Sequence, residues 1–318
     1  MSRNSIVIFT WLVVPVLAIL SLEIRAEANI GETFGFGSQN SSMAGAGAAG
    51  GASGFEAYFN PASLALVHDR RVSFSWGFVG MRPIFTPIDS VVTENAYTSD
   101  KVTTGNVNLD YRSTYGQALG IGVRLLPEIW NLSAGLVTYL PADSLAYMDT
   151  GSTFVPEYPL YRARTQRPQF NLGLAAEPVR GFAFGIGTYI GFALTAKAEV
   201  FLQTDPAKPS TMRFLSSLKP KAAPYLGLIV NPVQGPWTGA MVWRAPLNSA
   251  NYMTLQSGAR AFGNLAALDF HFDAMSSLYY DPMSFELGNS VNIVVRLRIY
   301  VQFDYQYWSR YKSPSLEI

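Results

Sequence analysis

The chain has 318 residues, a formal net charge of +1 and no cysteine, and hydrophobic residues make up 49% of it. The absence of cysteine excludes a disulfide framework and a lipid-modified cysteine anchor. The near-neutral charge, with only 14% charged residues, argues against nucleic acid as a partner, because domains that bind nucleic acid carry basic patches.

Residues 1–28 have the pattern of a secretion signal. Arg3 supplies positive charge, residues 6–20 are apolar, and Ala26-Glu27-Ala28 fits the small-x-small cleavage pattern. We therefore expect Sec-type export and a mature chain that begins at Asn29, with an uncleaved anchor as the alternative. After the signal, no segment reaches the roughly 18 uninterrupted apolar residues that a spanning helix needs. A membrane location would therefore require a β-barrel.

Residues 29–70 contain a stretch, 38–53, that consists mostly of Gly, Ala and Ser. So few side chains cannot build a core, and a glycine-rich backbone is costly to order unless other structure holds it. The string from Gly45 to Gly50 is similar to a dinucleotide fingerprint, but it follows no predicted strand. We expect no cofactor.

From residue 71 onward, apolar and polar residues alternate with a period of two. Between 295 and 307 the odd positions are apolar or aromatic, whereas the even positions include Arg296, Arg298 and Asp304. Residues 182–194 repeat the pattern, with bulky residues on one face and mostly small ones on the other. This alternation predicts strands with one apolar face. Both runs exceed the 9 to 11 tilted residues that cross a bilayer.

The pattern predicts eleven strands and a marked difference between their connections. Short turns fall on one side, taken as periplasmic, and the long segments 81–104, 141–165 and 201–221 fall outside, as in outer-membrane barrels. Such barrels have even strand numbers, so we expect further strands beyond residue 318. The predicted strands cover residues 71–80, 105–124, 130–140, 166–176, 182–200, 222–231, 237–244, 251–261, 265–275, 283–291 and 295–308.

The predicted fold class is an all-β antiparallel transmembrane barrel over residues 71–318. A soluble β-sandwich also alternates and is the alternative. Three features favour the barrel. Many of the strands are longer than the usual five or six residues, the bulky apolar face opposes a small or polar one, and the Trp residues lie near strand ends.

Three blocks of the chain carry a family resemblance. The first is Ser-Ser-Met-Ala-Gly-Ala-Gly at 41–47, followed by Tyr-Phe-Asn-Pro-Ala-Ser-Leu at 58–64, where Ser63 stands in place of the family's usual glycine. The second is 304–311, an aspartate strand that ends in Trp-Ser, and the third is Pro-Tyr-Leu-Gly at 224–227. Together they resemble the FadL/TodX-type family of outer-membrane transporters for long-chain fatty acids and aromatic hydrocarbons.

The resemblance implies a fourteen-stranded barrel plugged by an amino-terminal hatch, which here would be residues 29–70. It also implies passive passage, in which the ligand enters an apolar pocket, displaces the hatch and leaves through a gap in the wall. Gly135 is a candidate for a kink at that gap, and a packing role is the alternative. Asn60, Pro61 and Ala62 would form the junction between hatch and barrel. The residues assigned to the hatch or gate are Gly45, Gly47, Phe55, Phe59, Asn60, Pro61 and Ala62.

The predicted lumen combines glycines with charged side chains. Asp269, His271 and Asp273 lie at i, i+2 and i+4, so one strand face carries all three. They could form a catalytic or metal site around His271, or a ladder of paired charges that braces the barrel. No residue is assigned a catalytic or metal-binding role. The residues assigned to the lumen lining are Gly185, Gly187, Tyr189, Gly191, Asp269, His271, Asp273, Glu286, Arg296, Arg298 and Asp304.

The predicted function is passive transport of hydrophobic small molecules, such as long-chain fatty acids, across the outer membrane of a Gram-negative bacterium. The expected partners are the hydrophobic ligand and outer-membrane lipid, and the expected state is a monomer. A structural or secretion-associated barrel without transport is the first alternative. An outer-membrane hydrolase is the second.

Overall fold

The structure is a computed structural model, and it describes residues 36–43, 45–50, 54–68, 71–81, 91–94, 102–105, 114–143, 167–203, 211–231, 236–261, 266–294 and 297–310. The predicted signal and its cleavage before Asn29 lie outside the described residues. Two short helices and a 3₁₀ helix, α1 (Ser38–Ser42), α2 (Glu56–Phe59) and Pro61–Leu66, precede the strands. The strands are β1 (Val72–Met81), β2 (Val91–Glu94), β3 (Val102–Gly105), β4 (Thr114–Leu126), β5 (Leu132–Pro141), β6 (Gln169–Val179), β7 (Phe182–Gln203), β8 (Thr211–Val230), β9 (Trp237–Arg244), β10 (Leu247–Ala261), β11 (Ala266–Asp281), β12 (Met283–Val294) and β13 (Leu297–Tyr307).

One sheet contains eleven strands, which confirms the predicted all-β class and the number of strands discernible in the sequence. Nine of them follow the order β1-β4-β5-β6-β7-β8-β9-β12-β13, and each is antiparallel to its neighbours. The antiparallel hairpin β10–β11 attaches to the far half of β7 through a parallel ladder. Within the described strands, no pairing joins β1 to β13, so the sheet does not close there.

The predicted strand map differs from the structure in two details, and the sheet order departs from the chain order. Gly105, the first residue of the predicted strand 105–124, pairs with β2 in a second sheet, whereas β4 begins at Thr114 and pairs with β1. The predicted external segment 201–221 is mostly strand, since β7 and β8 stay paired as far as Phe201 and Thr211. The strand after β11 does not lie beside it, because β12 pairs with β9 and β13. Backbone ladders set these neighbours, and side-chain alternation does not record them.

The β7–β8 hairpin is longer than the rest of the sheet. β7 has 22 residues and β8 has 20, whereas the other strands of the nine-strand path have 8 to 13. In the extended part, Nζ of Lys197 lies 2.8 Å from Oε1 of Glu199. This hydrogen bond lowers the pKa of Glu199. Because of its length, the hairpin extends past the ends of the other strands of the nine-strand path, and β10 lies alongside the β7 part of this extension.

The nine-strand path is curled around the amino-terminal residues. Oγ of Ser75 in β1 accepts a hydrogen bond from N of Gly54 at 2.8 Å, and Oε1 of Gln302 in β13 accepts one from N of Ala48 at 3.1 Å. Eight spacings between nine flat strands would separate these edges by about 38 Å. The six Cα-to-Cα steps from residue 48 to residue 54 span at most about 22 Å. The sheet must therefore bend into a trough, with Ala48 near one edge strand and Gly54 near the other.

The two faces of the trough differ in chemistry. On β1, Phe74 and Phe78 are 65% and 72% exposed on the outer face, whereas Ser73 faces inward and is buried. On β7, Ile186 is 54% exposed and Ala183 is fully buried. An exposed apolar surface of this extent marks a contact with a membrane or another apolar partner. The same outer face carries Val72, Trp76, Leu172, Leu174, Phe184, Leu226, Met241, Phe285, Leu287, Ile299 and Tyr305.

Candidate functional site

The concave face of the trough holds residues 36–43, 45–50 and 54–68, which we term the inner segment. Asn60 organises its centre, because Oδ1 accepts a hydrogen bond from N of Ala62 at 3.0 Å and so caps the 3₁₀ helix, with Pro61 at the first helical position. Nδ2 of Asn60 donates to the carbonyl oxygens of Ala48 at 3.0 Å and Leu228 at 3.3 Å. One buried amide thus joins two parts of the inner segment to β8.

Five neighbouring strands meet the inner segment through glycines, which we term the glycine row. A Cβ atom at Gly185 would lie 2.5 Å from N of Ala62. A Cβ atom at Gly227 would overlap Oδ1 of Asn60 and lie 2.8 Å from Cδ of Pro61. Glycine is required here because the two backbones approach so closely. The row consists of Gly120 in β4, Gly135 in β5, Gly173 in β6, Gly185 in β7 and Gly227 in β8.

The arrangement of the glycine row follows the strand register. Gly135 pairs with Gly173, and Gly185 pairs with Gly227, so the small residues lie side by side. Side chains of the inner segment fill the resulting groove, and a Cβ atom at Gly135 would lie 2.6 Å from Cδ2 of Leu64. Gly135 therefore packs against the inner segment in this structure.

The opposite wall, formed by β9, β12 and β13, meets the inner segment with polar side chains, and we term it the polar wall. Arg244 at the end of β9 donates through Nη2 to the carbonyl oxygens of Tyr58 and Phe59, the latter at 3.1 Å. Its Nε donates to Oε1 of Glu286 at 2.8 Å. Both side chains are nearly buried, at 11% and 13% exposure.

Further along the polar wall, the contacts involve the backbone of residues 48 and 49. Oγ of Ser290 donates to the carbonyl oxygen of Ala49 at 3.3 Å, and Gln302 accepts from N of Ala48. Arg298 supports this contact by donating to Oγ of Ser290 at 2.8 Å and to Oγ1 of Thr238 at 3.1 Å. The carbonyl and amide groups of the small residues are therefore satisfied by side chains of the wall.

Aromatic rings of the inner segment form an apolar cluster with β5. Phe36 is fully buried, packs edge to face on Tyr58 at 4.7 Å between ring centroids, and stacks on Tyr139 at 5.8 Å. Phe55 and Phe59 are also buried and belong to the same cluster. Aromatic pairs at these separations stabilise beyond the area that they bury. This cluster gives the inner segment the core that residues 38–53 alone cannot form.

The carboxyl end of the inner segment is tied to the turns of the sheet. Nδ2 of Asn131, in the β4–β5 turn, donates to the carbonyl oxygen of Ala65. His68 pairs with Glu177, whose other carboxylate oxygen accepts from N of Gly181 at 2.7 Å in the β6–β7 turn. These contacts fix the point where the inner segment joins β1.

A cavity of about 40 Å³ lies beside Tyr58 of the inner segment, where residues of β6 and β7 face Arg244 and Ser284 of the polar wall. This volume holds about three water molecules, so a long acyl chain does not fit unless groups move. Ion pairs border it, since Arg167 lies 2.6 Å from Asp281 and Arg244 pairs with Glu286. The lining includes Tyr58, Arg167, Asn171, Tyr189, Arg244, Asp281 and Ser284.

The predicted hatch residues other than the 60–62 block also lie within the inner segment. Gly45 has a φ of 80°, and its N donates to the carbonyl oxygen of Asn40 at 3.0 Å. A Cβ atom at Gly47 would overlap the ring of Phe59. These two glycines are therefore needed for a left-handed turn and for a close approach respectively.

The residues of β7 that were predicted to line the lumen lie in two different environments. Gly187 faces the ring of Tyr225 and not the inner segment, and a Cβ atom there would lie 2.5 Å from Cε1 of that ring. Tyr189 and Gly191 line the cavity, and the hydroxyl of Tyr189 donates to the carbonyl oxygen of Ala245 at 2.5 Å.

The predicted charged residues of the lumen are only partly brought together. Glu286 and Arg298 lie on the polar wall, and Asp304 is exposed and accepts from Nε2 of Gln302 at 2.9 Å. The backbones of Asp269, His271 and Asp273 lie in β11, which pairs with β10 and is outside the nine-strand path. The side chains of those three residues, and all of Arg296, lie outside the described part of the structure.

Sequence reasoning missed Arg244 and Ser290, the side chains of the polar wall that donate to the inner segment. Arg244 was not singled out, although Thr238 and Val242 of β9 are buried and share its alternation. Extending the period of two along this short strand would have placed the arginine inward. Tyr225 and Gly227 appeared only as part of a motif. Their contacts with Ala57 and Asn60 depend on tertiary placement.

Among the described residues, no group of three or more His, Asp and Glu side chains is arranged to hold a metal ion. No helix within those ranges is long and apolar enough to cross a membrane.

Comparison with known proteins finds likeness in structure only. No family model and no curated protein matches the chain. The P. putida toluene transporter TodX is similar at 14% identity and a TM-score of 0.46, over 87% of this chain and 72% of that one. The deltaS2S3 mutant of TodX, a monoaromatic hydrocarbon channel, is similar at 12% identity and a TM-score of 0.42, over 80% of this chain and 66% of that one. TodX represents the family that the sequence motifs resemble.

Proposed function

We propose that this chain is an outer-membrane channel that admits hydrophobic small molecules, and that the inner segment closes its lumen. The observation that carries the proposal is the combination of two faces on one curled sheet. The outer face exposes bulky apolar side chains, and the inner face is small or polar and filled by the inner segment. A barrel wall in lipid has this arrangement.

The chemistry of the interior supports a hydrophobic ligand. Moving the inner segment away would uncover Val137 and Tyr139 on the wall, together with the rings of Phe36 and Phe55 on the segment itself. The chain as a whole has few charges, whereas a pore for ions or sugars is lined with more of them. Long-chain fatty acids and aromatic hydrocarbons are the ligand classes that we infer, with a monomer as the transporting unit.

Uptake measurements test the proposed transport. Cells that express the full-length protein should accumulate labelled oleate or toluene faster than cells with an empty vector, at equal surface expression. A variant that lacks residues 45–59 should also admit a small polar dye that the parent excludes. Equal uptake of both probes by expressing and control cells would favour a structural barrel and contradict transport.

The membrane location has its own test on the outer face. Ile186→Arg should cost roughly 2–4 kcal/mol of folding free energy if this side chain faces the bilayer midplane. Leu215→Arg, at a side chain 45% exposed on the β8 extension, should cost less because that extension lies past the ends of the other strands of the nine-strand path. Folding titrations into lipid vesicles measure both. Equal costs at the two positions would remove the assigned membrane belt.

The hydrolase alternative centres on His271, whose side chain lies outside the described part of the structure. We infer a non-enzymatic role, and this inference is open to a direct test. His271→Ala should leave uptake of oleate unchanged, and any esterase activity of the parent that this substitution abolishes would reverse the inference.

A further inference from the structure

Three consecutive carbonyl oxygens at the end of α2 are held by the wall. The last carbonyls of a helix have no partner inside the helix. Here the hydroxyl of Tyr225 donates to the carbonyl of Ala57, and Nη2 of Arg244 donates to those of Tyr58 and Phe59. Tyr225 of β8 and Arg244 of β9 thus complete the hydrogen bonding at the end of α2, which we term the central turn.

Arg244 is the more versatile of these two donors. Its guanidinium carbon lies 5.3 Å from the ring centroid of Tyr58 and 5.1 Å from that of Tyr225, and cation–π attraction stabilises both arrangements. A planar fork of five donors allows one guanidinium to bind a carboxylate and two carbonyls at once. A lysine could not reproduce this geometry.

Glu286 sets the position of the guanidinium. It accepts from Nε at 2.8 Å, which leaves Nη2 pointing at the inner segment. A buried guanidinium without its carboxylate would be strongly destabilising, because its charge would be uncompensated. The pair therefore keeps a charged donor in a nearly buried place beside the inner segment.

Arg244 also borders the cavity. Together with Tyr58, it forms part of the lining of the cavity of about 40 Å³. This cavity is therefore in direct contact with the hydrogen bonds between Arg244 and the end of α2.

We propose that Arg244, oriented by Glu286, is the latch of the channel: it positions the inner segment, and the lumen opens when the guanidinium releases the carbonyls of Tyr58 and Phe59. Arg244 acts here as a positioning residue. The proposal rests on the proposed function, in which the inner segment closes the lumen.

The test uses the double variant Arg244→Met with Glu286→Gln in the full-length protein, reconstituted in liposomes. Changing both residues avoids a buried unpaired charge, so the variant reports the loss of the guanidinium's hydrogen bonds and cation–π contacts. Efflux of a small polar fluorophore should rise at least tenfold over the parent. Arg244→Lys with native Glu286 should give an intermediate rate, because the charge remains but the ammonium lacks the planar fork that binds the carboxylate and both carbonyls at once.

The matched control removes another ion pair. Lys197→Met with Glu199→Gln deletes a pair of the same 2.8 Å separation on the β7 extension, and its efflux should equal that of the parent. The variant lacking residues 45–59 gives the rate of the open lumen. If this deletion leaks and the Arg244/Glu286 variant does not, the latch is overturned while the closing role stands. If neither leaks, the proposed closing role itself fails.

A reversible cross-link separates release of the segment from misfolding. The chain has no cysteine, and a Cβ atom at Gly288 would lie 3.1 Å from Cβ of Ala49, close to the range of disulfides. Adding Ala49→Cys and Gly288→Cys to the double variant should suppress the leak when oxidised and restore it when reduced. A leak that is the same in both redox states would show that the segment is not its cause, and would overturn the latch.

Discussion

The glycine row and the polar wall hold the same inner segment by opposite means. In the glycine row, five strands offer no side chain, so the segment contacts the backbone of the wall directly. On the polar wall, Arg244, Ser290 and Gln302 reach out and bond to carbonyl or amide groups. The fit in the glycine row depends on the absence of side chains, whereas the fit on the polar wall depends on specific hydrogen-bond donors and acceptors.

The difference bears on how the segment could move. Contact between backbones cannot loosen unless a whole strand or helix shifts, because strands of a sheet are tied by their ladders. A side-chain donor can rotate away and leave both backbones in place. We therefore expect the segment to pivot on the glycine row and to part from the polar wall.

The sharpest comparison makes the same substitution on both sides. Gly227→Ala should cost about 3 kcal/mol, because the new methyl group overlaps the buried amide of Asn60. Gly288→Ala on the polar wall should cost about 1 kcal/mol, since its nearest neighbours lie at 3.0 Å and 3.1 Å. Urea titrations of the protein in lipid vesicles measure both free energies of unfolding.

Gly77→Ala is the control for these two variants. No atom lies within 4 Å of a Cβ placed there, so the methyl group should be neutral or stabilise by about 0.5–1 kcal/mol. Equal costs for Gly227→Ala and Gly288→Ala would break the distinction between the two walls.

Asn60→Ala should have the next largest effect, about 2 kcal/mol. It removes the cap of the 3₁₀ helix and leaves the carbonyls of Ala48 and Leu228 without their donor. The same titration measures the loss. Asn289→Ala, at an exposed side chain of β12, is the matched control and should change the free energy of unfolding by less than about 0.5 kcal/mol. A comparable loss in the two variants would contradict the central place given to Asn60.

Tyr225→Phe should have the smallest effect, about 1 kcal/mol, because it deletes one hydroxyl and keeps the ring. The hydroxyl bonds to the carbonyls of Ala57 and Leu172. Tyr305→Phe, on the outer face and 51% exposed, is the control. If dye efflux from Tyr225→Phe liposomes matched that from the Arg244/Glu286 variant, the latch would be shared and Arg244 would not be the main donor.

Much of the sheet is predictable because apolar and polar side chains alternate along its strands with a period of two. Alternation located all eleven strands, since side chains of a strand point to opposite faces whatever its neighbours are. It failed at residues 211–221, where Leu215, Ser216, Ser217 and Leu218 do not alternate and yet the β7–β8 ladder continues. Pairing there is carried by backbone hydrogen bonds, which the order of side chains does not record.

The site was less predictable than the sheet. Gly185 was placed inward by parity, and the structure brings it against Ala62. Gly187 shares that parity, yet it faces Tyr225, because register decides which glycine lies under the segment and which lies beneath a ring. His271 and Glu286 were both assigned to the lumen lining, and the placement of the β10–β11 hairpin outside the nine-strand path separates their strands in the sheet order.

The sequence by itself determined the all-β class, the two faces of the strands and the inability of residues 38–53 to fold alone. These properties follow from the local spacing and composition of the residues, which do not depend on contacts with other parts of the chain. Only the tertiary structure decided that residues 45–50 and 54–68 lie within a curled sheet, that glycines of four strands lie against Asn60, Pro61 and Leu64, and that Arg244 reaches the carbonyls of Tyr58 and Phe59. Contacts between residues more than a hundred positions apart depend on register and curvature, and these arise only when the strands pair.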